Sequence, residues 1–348
     1  MYIAVDAMGG DFAPQAVVAG AFQAAVEDRI SVLLVGDADR IERRLRKLGD
    51  PDGRIEIIHA EEVVGMEEPA ITPIRKKRRS SIRLCAELVR DGQAQALVSA
   101  GNTGATMISA KMVMGTIEGV DRPALAAVFP SPSGQTVVLD VGANVVSKPA
   151  HLRQFAVMGH FYAQEILGTR SPRVGLLSIG EEEGKGTELT REVFQEMKST
   201  GFNFIGNVEG RDVFAGSVDV VVCEGFVGNV MLKSAESLAA YVSRLLRDEM
   251  RRSWRTRFGY LLSRQAFKRV QQQTDYRETG AAPLLGVQGG CFVGHGRSNP
   301  KAIRSSIRRA FEFCEADLHN KIQVNVAELH RREERLLRQQ GPQELTVS

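Results

Sequence analysis

The sequence predicts an α/β fold, a three-layer and mostly parallel sheet with helices on both faces, from which a helical hairpin protrudes. Three observations carry this. Short apolar runs alternate with helix-length segments from the first residues onward. The 34 glycines gather where the apolar runs end rather than in a low-complexity tract. A chain of 348 residues with 43% hydrophobic content is long enough to bury both faces of a large sheet.

The elements follow in order. YIAVD (2–6) is a strand, and a helix begins near Pro14, proline being favoured in a first helical turn. SVLLVGD (31–37) is a second strand, before a charged amphipathic helix that runs to Leu48. RIEII (54–58) leads through a Pro-containing loop to one helix near 73–91. Ala96, Leu97 and Val98 end a buried strand, and from Thr103 a helix places Met107, Ile108, Met112 and Val113 on its core face. Further strands are expected at 124–128, 136–140, 173–179, 203–206, 218–223 and 291–294, and helices at 149–167, 187–200, 228–253 and 300–336. Residues 1–336 read as one large domain, with a basic amphipathic hairpin at 238–275 and a disordered tail at 337–348.

Charge and cysteine usage exclude several classes. A formal net charge of +3 is no polycation, so any basic effect is local. Cys85, Cys223, Cys291 and Cys314 are scattered without a C-x-x-C pair, which argues against a zinc site or a disulfide framework and for a reducing compartment. The start, MYIAVDAMGG, lacks the features of a signal peptide, and no apolar run approaches transmembrane length. A cytoplasmic protein is expected, one still able to sit on a membrane surface.

The joints carry the functional signal. Gly101-Asn102-Thr103-Gly104, Gly142-Ala143-Asn144, GEEEGKG (180–186), GFVGN (225–229) and RSNP (297–300) each follow a strand. A turn or helix cap accounts for any one of them. Five of similar chemistry point to a polar cleft beyond the carboxyl ends of the strands, where α/β sheets bind ligands. Glycine admits close approach of a ligand, helix N–H groups receive an anion, and asparagine adds a neutral donor. No three-glycine dinucleotide fingerprint, Walker sequence or G-x-S-x-G elbow occurs, and the six histidines show no metal-ligand spacing. His295, between glycines at a strand end, is the histidine worth keeping.

Eight motifs in order make the pattern specific: AVDAMGGDFAP, VSAGNTGA, LDVGAN, QFAVMG, GLLSIGEEEGKG, GNVEGRD, CEGFVGNVMLK and GAAPLLGVQGGCFVGHG. Over residues 1 to about 315 the chain resembles the phosphate acyltransferases, the bacterial acyl-ACP:phosphate transacylases of the PlsX family. It departs from them at Val145, where an acidic residue is usual, at Arg79, and at Ser178. The resemblance implies a fold similar to phosphotransacetylases and isocitrate-dehydrogenase-like proteins, and a homodimer; the cysteine and histidine spacing leads us to expect no metal, and no cofactor is expected. It implies transfer of a long-chain acyl group from acyl carrier protein to inorganic phosphate. The acyl phosphate would then feed an acyl-phosphate:glycerol-3-phosphate acyltransferase in phospholipid synthesis.

Phosphate attack on a thioester asks the protein to hold a dianion, stabilise an oxyanion and tolerate a departing thiolate, which positioning and fixed dipoles can do. Gly101, Asn102, Thr103 and Gly104 are the candidate phosphate cradle. Lys185 is the candidate mobile cation, with a solvated surface lysine as the alternative. Asn144 and Asn229 are candidate donors to phosphate or carbonyl oxygen, and Lys233, one helical turn after Asn229, shares its face. Arg211 either pairs with Asp212 or binds substrate. His295 is a candidate proton donor to the thiolate. Asp6 and Asp11 are expected to organise the first loop.

Residues 244–269 hold nine Arg or Lys against Asp248 and Glu249. Trp254, Phe258, Leu261 and Leu262 alternate with Arg251, Arg252, Arg255 and Arg257, and Gly259 is a candidate bend. Such a segment suits either a dimer interface or an anchor on the anionic inner face of the cell membrane. No nucleic-acid module accompanies the charge. The basic run 75–79 is a candidate landing point for acidic acyl carrier protein. Two other functions compete, a short-chain phosphotransacetylase using acyl-CoA and a non-catalytic membrane-associated regulator.

Overall fold

A computed structural model describes residues 1–49, 51–198, 201–274 and 280–339. The strands are β1 (Tyr2–Asp6), β2 (Ser31–Gly36), β3 (Ile55–His59), β4 (Ala96–Ser99), β5 (Ala124–Ser131), β6 (Gly134–Leu139), β7 (Val174–Leu177), β8 (Phe204–Val208), β9 (Val220–Val222), β10 (Ala282–Leu285) and β11 (Gly290–Val293). They form one sheet in the order β3-β2-β1-β4-β11-β10-β5-β6-β9-β7-β8. The helices are α1 (Gln15–Glu27), α2 (Ala38–Leu45), α3 (Thr72–Arg75), α4 (Ser81–Arg90), α5 (Thr103–Ser109), α6 (Pro149–Glu165), α7 (Glu188–Met197), α8 (Asp212–Ala215), α9 (Gly225–Arg251), α10 (Trp254–Thr274), α11 (Pro300–Glu315) and α12 (Leu318–Gln339).

Strand residues alternate between two apolar layers, as a pleated strand requires. Ile3, Val32, Leu34, Val137 and Leu139 join the layer under α1, α6, α11 and α12, which holds Val18, Phe155, Ile307 and Ile322. Ala4, Leu33, Val35 and Val138 face the opposite layer, with Cys85, Leu88, Met114 and Val221. Both faces are covered, so the strands read as continuous apolar runs.

The sheet is mostly parallel, with one consequential reversal. β3, β2, β1, β4 and β11 run together. The pairs β11–β10, β10–β5 and β5–β6 are antiparallel, and β6, β9, β7 and β8 are again parallel. The carboxyl ends of β1, β4 and β11 therefore open on one edge of the sheet, and those of β6, β9 and β7 on the other. The five joints, expected to gather, are divided. Gly101–Gly104 and His295 lie on one edge; Asn144, Lys185 and Asn229 lie on the other.

Several boundaries differ from expectation. The helix expected at 73–91 is two helices, because Ser80 adopts an extended conformation and bridges to Glu62. The helix expected from Thr103 passes into a π turn (Ala110–Met114), which Gly115 ends with φ +91°. Met107 and Val113 pack on the core there, whereas Met112 is exposed. The hairpin turns at Arg252–Ser253, not at Gly259, which lies inside α10. Ser253 and Thr256 stop the first helix and cap the second: the Thr256 N–H donates to Ser253 Oγ at 3.2 Å and the Ser253 N–H to Thr256 Oγ1 at 3.1 Å. Asp317, at φ +51°, splits the last expected helix into α11 and α12. α12 reaches Gln339, so 337–339 are helical rather than tail; 340–348, like 199–200 and 275, lie outside the described residues. β10 was not expected at all.

Candidate active site

β6 is followed at once by Asp140, whose side chain is fully buried. Its Oδ1 accepts the N–H groups of Leu125, Gly142 and Ala143 at 3.0, 3.1 and 2.9 Å. Its Oδ2 accepts the Asn144 N–H and side-chain amide at 2.7 and 2.9 Å. Burial pushes this carboxyl above its ordinary range, and the hydrogen bonds pull it back. The carboxylate thus shapes the loop 141–144 from within. Asn144 gives its other amide contact to the Pro123 carbonyl at 2.8 Å, so the expected donor to substrate is committed to the loop instead.

α9 docks on this loop at backbone contact. A Cβ at Gly225 would meet the Asn144 carbonyl, and one at Gly228 the Asp140 carbonyl. Glycines expected to admit a ligand admit a helix. Asn229 follows, beside Gly142, with its Oδ1 3.4 Å from where a Cβ would stand. Lys233 pairs with Glu236 at 3.0 Å on the exposed face of α9.

Lys185 lies beyond β7, adjacent to β9 in the sheet, on the same edge as this loop. Its N–H bonds the Glu182 carbonyl at 3.0 Å, which also accepts from Asn207 Nδ2 at 2.9 Å. The Lys185 side chain is exposed, with no acidic partner among the described residues. Arg211 does not pair with Asp212; it reaches Glu181 at 2.7 Å and Glu209 at 3.3 Å and so braces the loop that carries Lys185. Asp212 instead accepts the Glu209 N–H at 2.8 Å.

The opposite edge repeats the device. Asp6 is buried and accepts from Ser81 Oγ at 2.6 Å, Ser99 Oγ at 2.8 Å and the Met8 N–H at 3.1 Å, the loop-organising role expected of it. Burial raises its carboxyl and these bonds lower it. Asn102 caps α5 by accepting the Ala105 N–H at 3.0 Å, and its amide donates to the carbonyls of Gly65, Met66 and Glu68 at 3.3, 2.9 and 2.8 Å. A Cβ at Gly104 would stand 2.7 Å from Ala70 Cβ, so the expected phosphate cradle is a lock on the 65–70 segment. Gly101 packs on Gly9, and Thr103 is exposed in the first turn of α5. His295 is exposed and accepts the Arg297 N–H on Nδ1 at 3.1 Å.

All four cysteines are free. Burial pushes Cys291 and Cys314 up to about 12, and Cys223 and Cys85 are also raised chiefly by burial, so none presents a thiolate at neutral pH. Among the described residues no group of three His, Cys, Asp or Glu side chains is placed to hold a metal ion. On the hairpin Trp254 is 75%, Phe258 59%, Leu261 63% and Leu262 73% exposed. Arg251, Arg252, Arg255 and Arg257 are exposed beside them.

The mixed α/β sheet is similar in fold to phosphotransacetylases of known structure. The phosphotransacetylase of Streptococcus pyogenes superposes with a TM-score of 0.61 at 15% identity, covering 90% of this chain and 94% of that one. The EutD phosphotransacetylase of Staphylococcus aureus gives 0.56 at 16% identity, over 90% and 94%. At these identities the likeness is one of fold. The model of the family described as fatty acid synthesis protein matches residues 1–321. The phosphate acyltransferase of Geotalea uraniireducens is 50% identical over 328 residues, 94% of this chain and 95% of its own. That of Citrifermentans bemidjiense is 52% identical over 314 residues, 90% and 89%. The chain belongs to this phosphate acyltransferase family.

Proposed function

We propose that the enzyme transfers a long-chain fatty acyl group from acyl carrier protein to inorganic phosphate, making acyl phosphate for phosphatidic acid synthesis. The observation that carries this is identity of about half the residues with phosphate acyltransferases over nearly the whole chain. A phosphate oxygen adds to the thioester carbonyl carbon, the C–S bond breaks, and the sulfur leaves with the electron pair and takes up a proton. The raised thiols support direct attack without an acyl-cysteine. Lys185, unpaired in a braced loop, is the cation suited to charge developing on the carbonyl oxygen, and Asn229 is the neighbouring amide donor. Lys233 is paired away, and His295 opens on the other edge, so neither takes a step here.

Arg75, Lys76 and Arg78 supply the positive surface for an acidic carrier, whereas Lys77 and Arg79 are paired with Glu68 and Glu61. No helix among the described residues is long and apolar enough to cross a membrane. The exposed hairpin supports peripheral contact with the anionic inner face of the cell membrane, on a homodimer. There the amphiphilic product is released beside the acyl-phosphate:glycerol-3-phosphate acyltransferase that consumes it.

The test offers palmitoyl-ACP and acetyl-CoA to the purified enzyme, with and without phosphate. Phosphate-dependent release of free carrier thiol from palmitoyl-ACP is expected. Preference for acetyl-CoA would mark a short-chain phosphotransacetylase, and release from neither a non-catalytic regulator.

A further inference from the structure

Two loops and a π turn meet near the start of α6. Gln154 binds the 119–121 segment to that helix: its Oε1 accepts the Asp121 N–H at 3.0 Å, and its Nε2 donates to Gly119 O at 3.0 Å and Asp121 Oδ2 at 3.1 Å. The next residue but one, Pro123, is held by Asn144. Arg122 is thereby fixed between α6 and the Asp140 loop. One turn before Gln154, His151 accepts the Lys148 N–H on Nδ1 at 3.1 Å, which leaves its proton on Nε2. Lys111, half-buried on the π turn, completes the group.

The charges of Lys111, Arg122 and Lys148 therefore all bear on one imidazole, against the single carboxylate of Asp121. None of Lys111, Arg122 and Lys148 has an acidic partner within ion-pair distance among the described residues. Like charges held together without counterions are costly, unlike the paired Arg211 and Lys233. Ser147, next to Lys148 in the chain, is 8% exposed, and its buried hydroxyl has no hydrogen-bond partner. An unpartnered hydroxyl, convergent cations and the positive end of a seventeen-residue helix ask for the same thing, a compact anion.

We propose that Lys111, Arg122, Lys148, His151 and Ser147 form the binding site for a phosphate dianion, with inorganic phosphate as the occupant. The assignment rests on the acyl transfer proposed above. Cations from three separate segments can surround a free dianion, whereas a phosphodiester carries one charge and two covered oxygens. Burial lowers the His151 imidazole below its ordinary value, and Arg122, Lys148 and Lys111 act the same way against Asp121, so it meets the anion as a neutral Nε2–H donor. The site lies on the same edge of the sheet as Lys185 and Asn229. Exposed Val145 and Val146 precede Ser147 in the chain, and exposed Phe226 and Val230 stand on α9, the helix docked on the 140–144 loop, an apolar surface suited to the acyl group.

The experiment separates binding from turnover. Inorganic phosphate is titrated into the enzyme without acyl donor by calorimetry, for wild type and for Arg122→Gln and Lys148→Gln. Each variant should bind phosphate at least about tenfold more weakly, the scale of one charge-assisted hydrogen bond. Lys185→Gln should keep wild-type phosphate affinity. On the wild type, where folding is not in question, phosphate should shield Lys111 and Lys148 from acetylation read by mass spectrometry. Wild-type affinity in the folded Arg122 and Lys148 variants would overturn the site, as would shielding by 4′-phosphopantetheine but not by phosphate. Site-dependent binding in an enzyme that releases no thiol would uphold the site while refuting the acyl transfer.

Discussion

An amide that caps a helix and ties down three carbonyls has nothing left for a substrate, and Asn102 is that amide. From sequence, Asn between glycines at a strand end suits a turn, a cap and an anion site equally, because all three use the same donor and acceptor. The partners decide between them, and they lie 34 to 37 residues away in the chain. Asn144 repeats the lesson with Asp140 and Pro123. Asn102→Ala should cost about 1–2 kcal/mol, from a lost cap and unsatisfied carbonyls, while the KM for phosphate stays unchanged. Urea denaturation and initial rates measure the two. Full stability with a raised KM would return Asn102 to the phosphate site. Arg122, Lys148 and His151 were harder to see, since none stands in a glycine joint and only folding brings Arg122 to α6.

At the scale of elements, the alternation of strands and helices was legible because each element is apolar at its own period, and both sheet faces are buried. The breaks were not. Whether Gly225 and Gly228 precede a helix or begin it depends on how closely another backbone approaches, which local sequence does not report. Gly259 was the natural bend in the hairpin, yet the Ser253–Thr256 cap places the turn six residues earlier. The resulting pair, α9 and α10, exposes Trp254, Phe258, Leu261 and Leu262 between arginines. Phe258→Asp with Leu262→Asp should abolish salt-resistant binding to anionic liposomes and leave soluble activity intact. The four arginines contribute about 1 kcal/mol each near such a surface, so the wild type should lose only part of its binding as salt rises. Liposome flotation checks this. Equal flotation of both proteins refutes the anchor, and loss of the dimer instead assigns the stripe to the interface.

For the whole molecule, strand direction is what sequence could not show. β10, four residues with a proline, carries too little signal to be recognised, yet it and β5 reverse the sheet. That reversal sends His295 and the Asn102 loop to one edge, and Lys185, Asn229 and the Lys111–Arg122–Lys148 group to the other. The proposed chemistry thereby falls on an edge with cations and amides, and none of the four cysteines presents a thiolate there. The central claim is direct acyl transfer from thioester to phosphate. Enzyme in molar excess over palmitoyl-ACP, with phosphate omitted, tests it most directly. Direct transfer predicts no thiol release until phosphate is added, then complete release with acyl phosphate as product. One equivalent of thiol released before phosphate, with the acyl group retained on the protein, would contradict it.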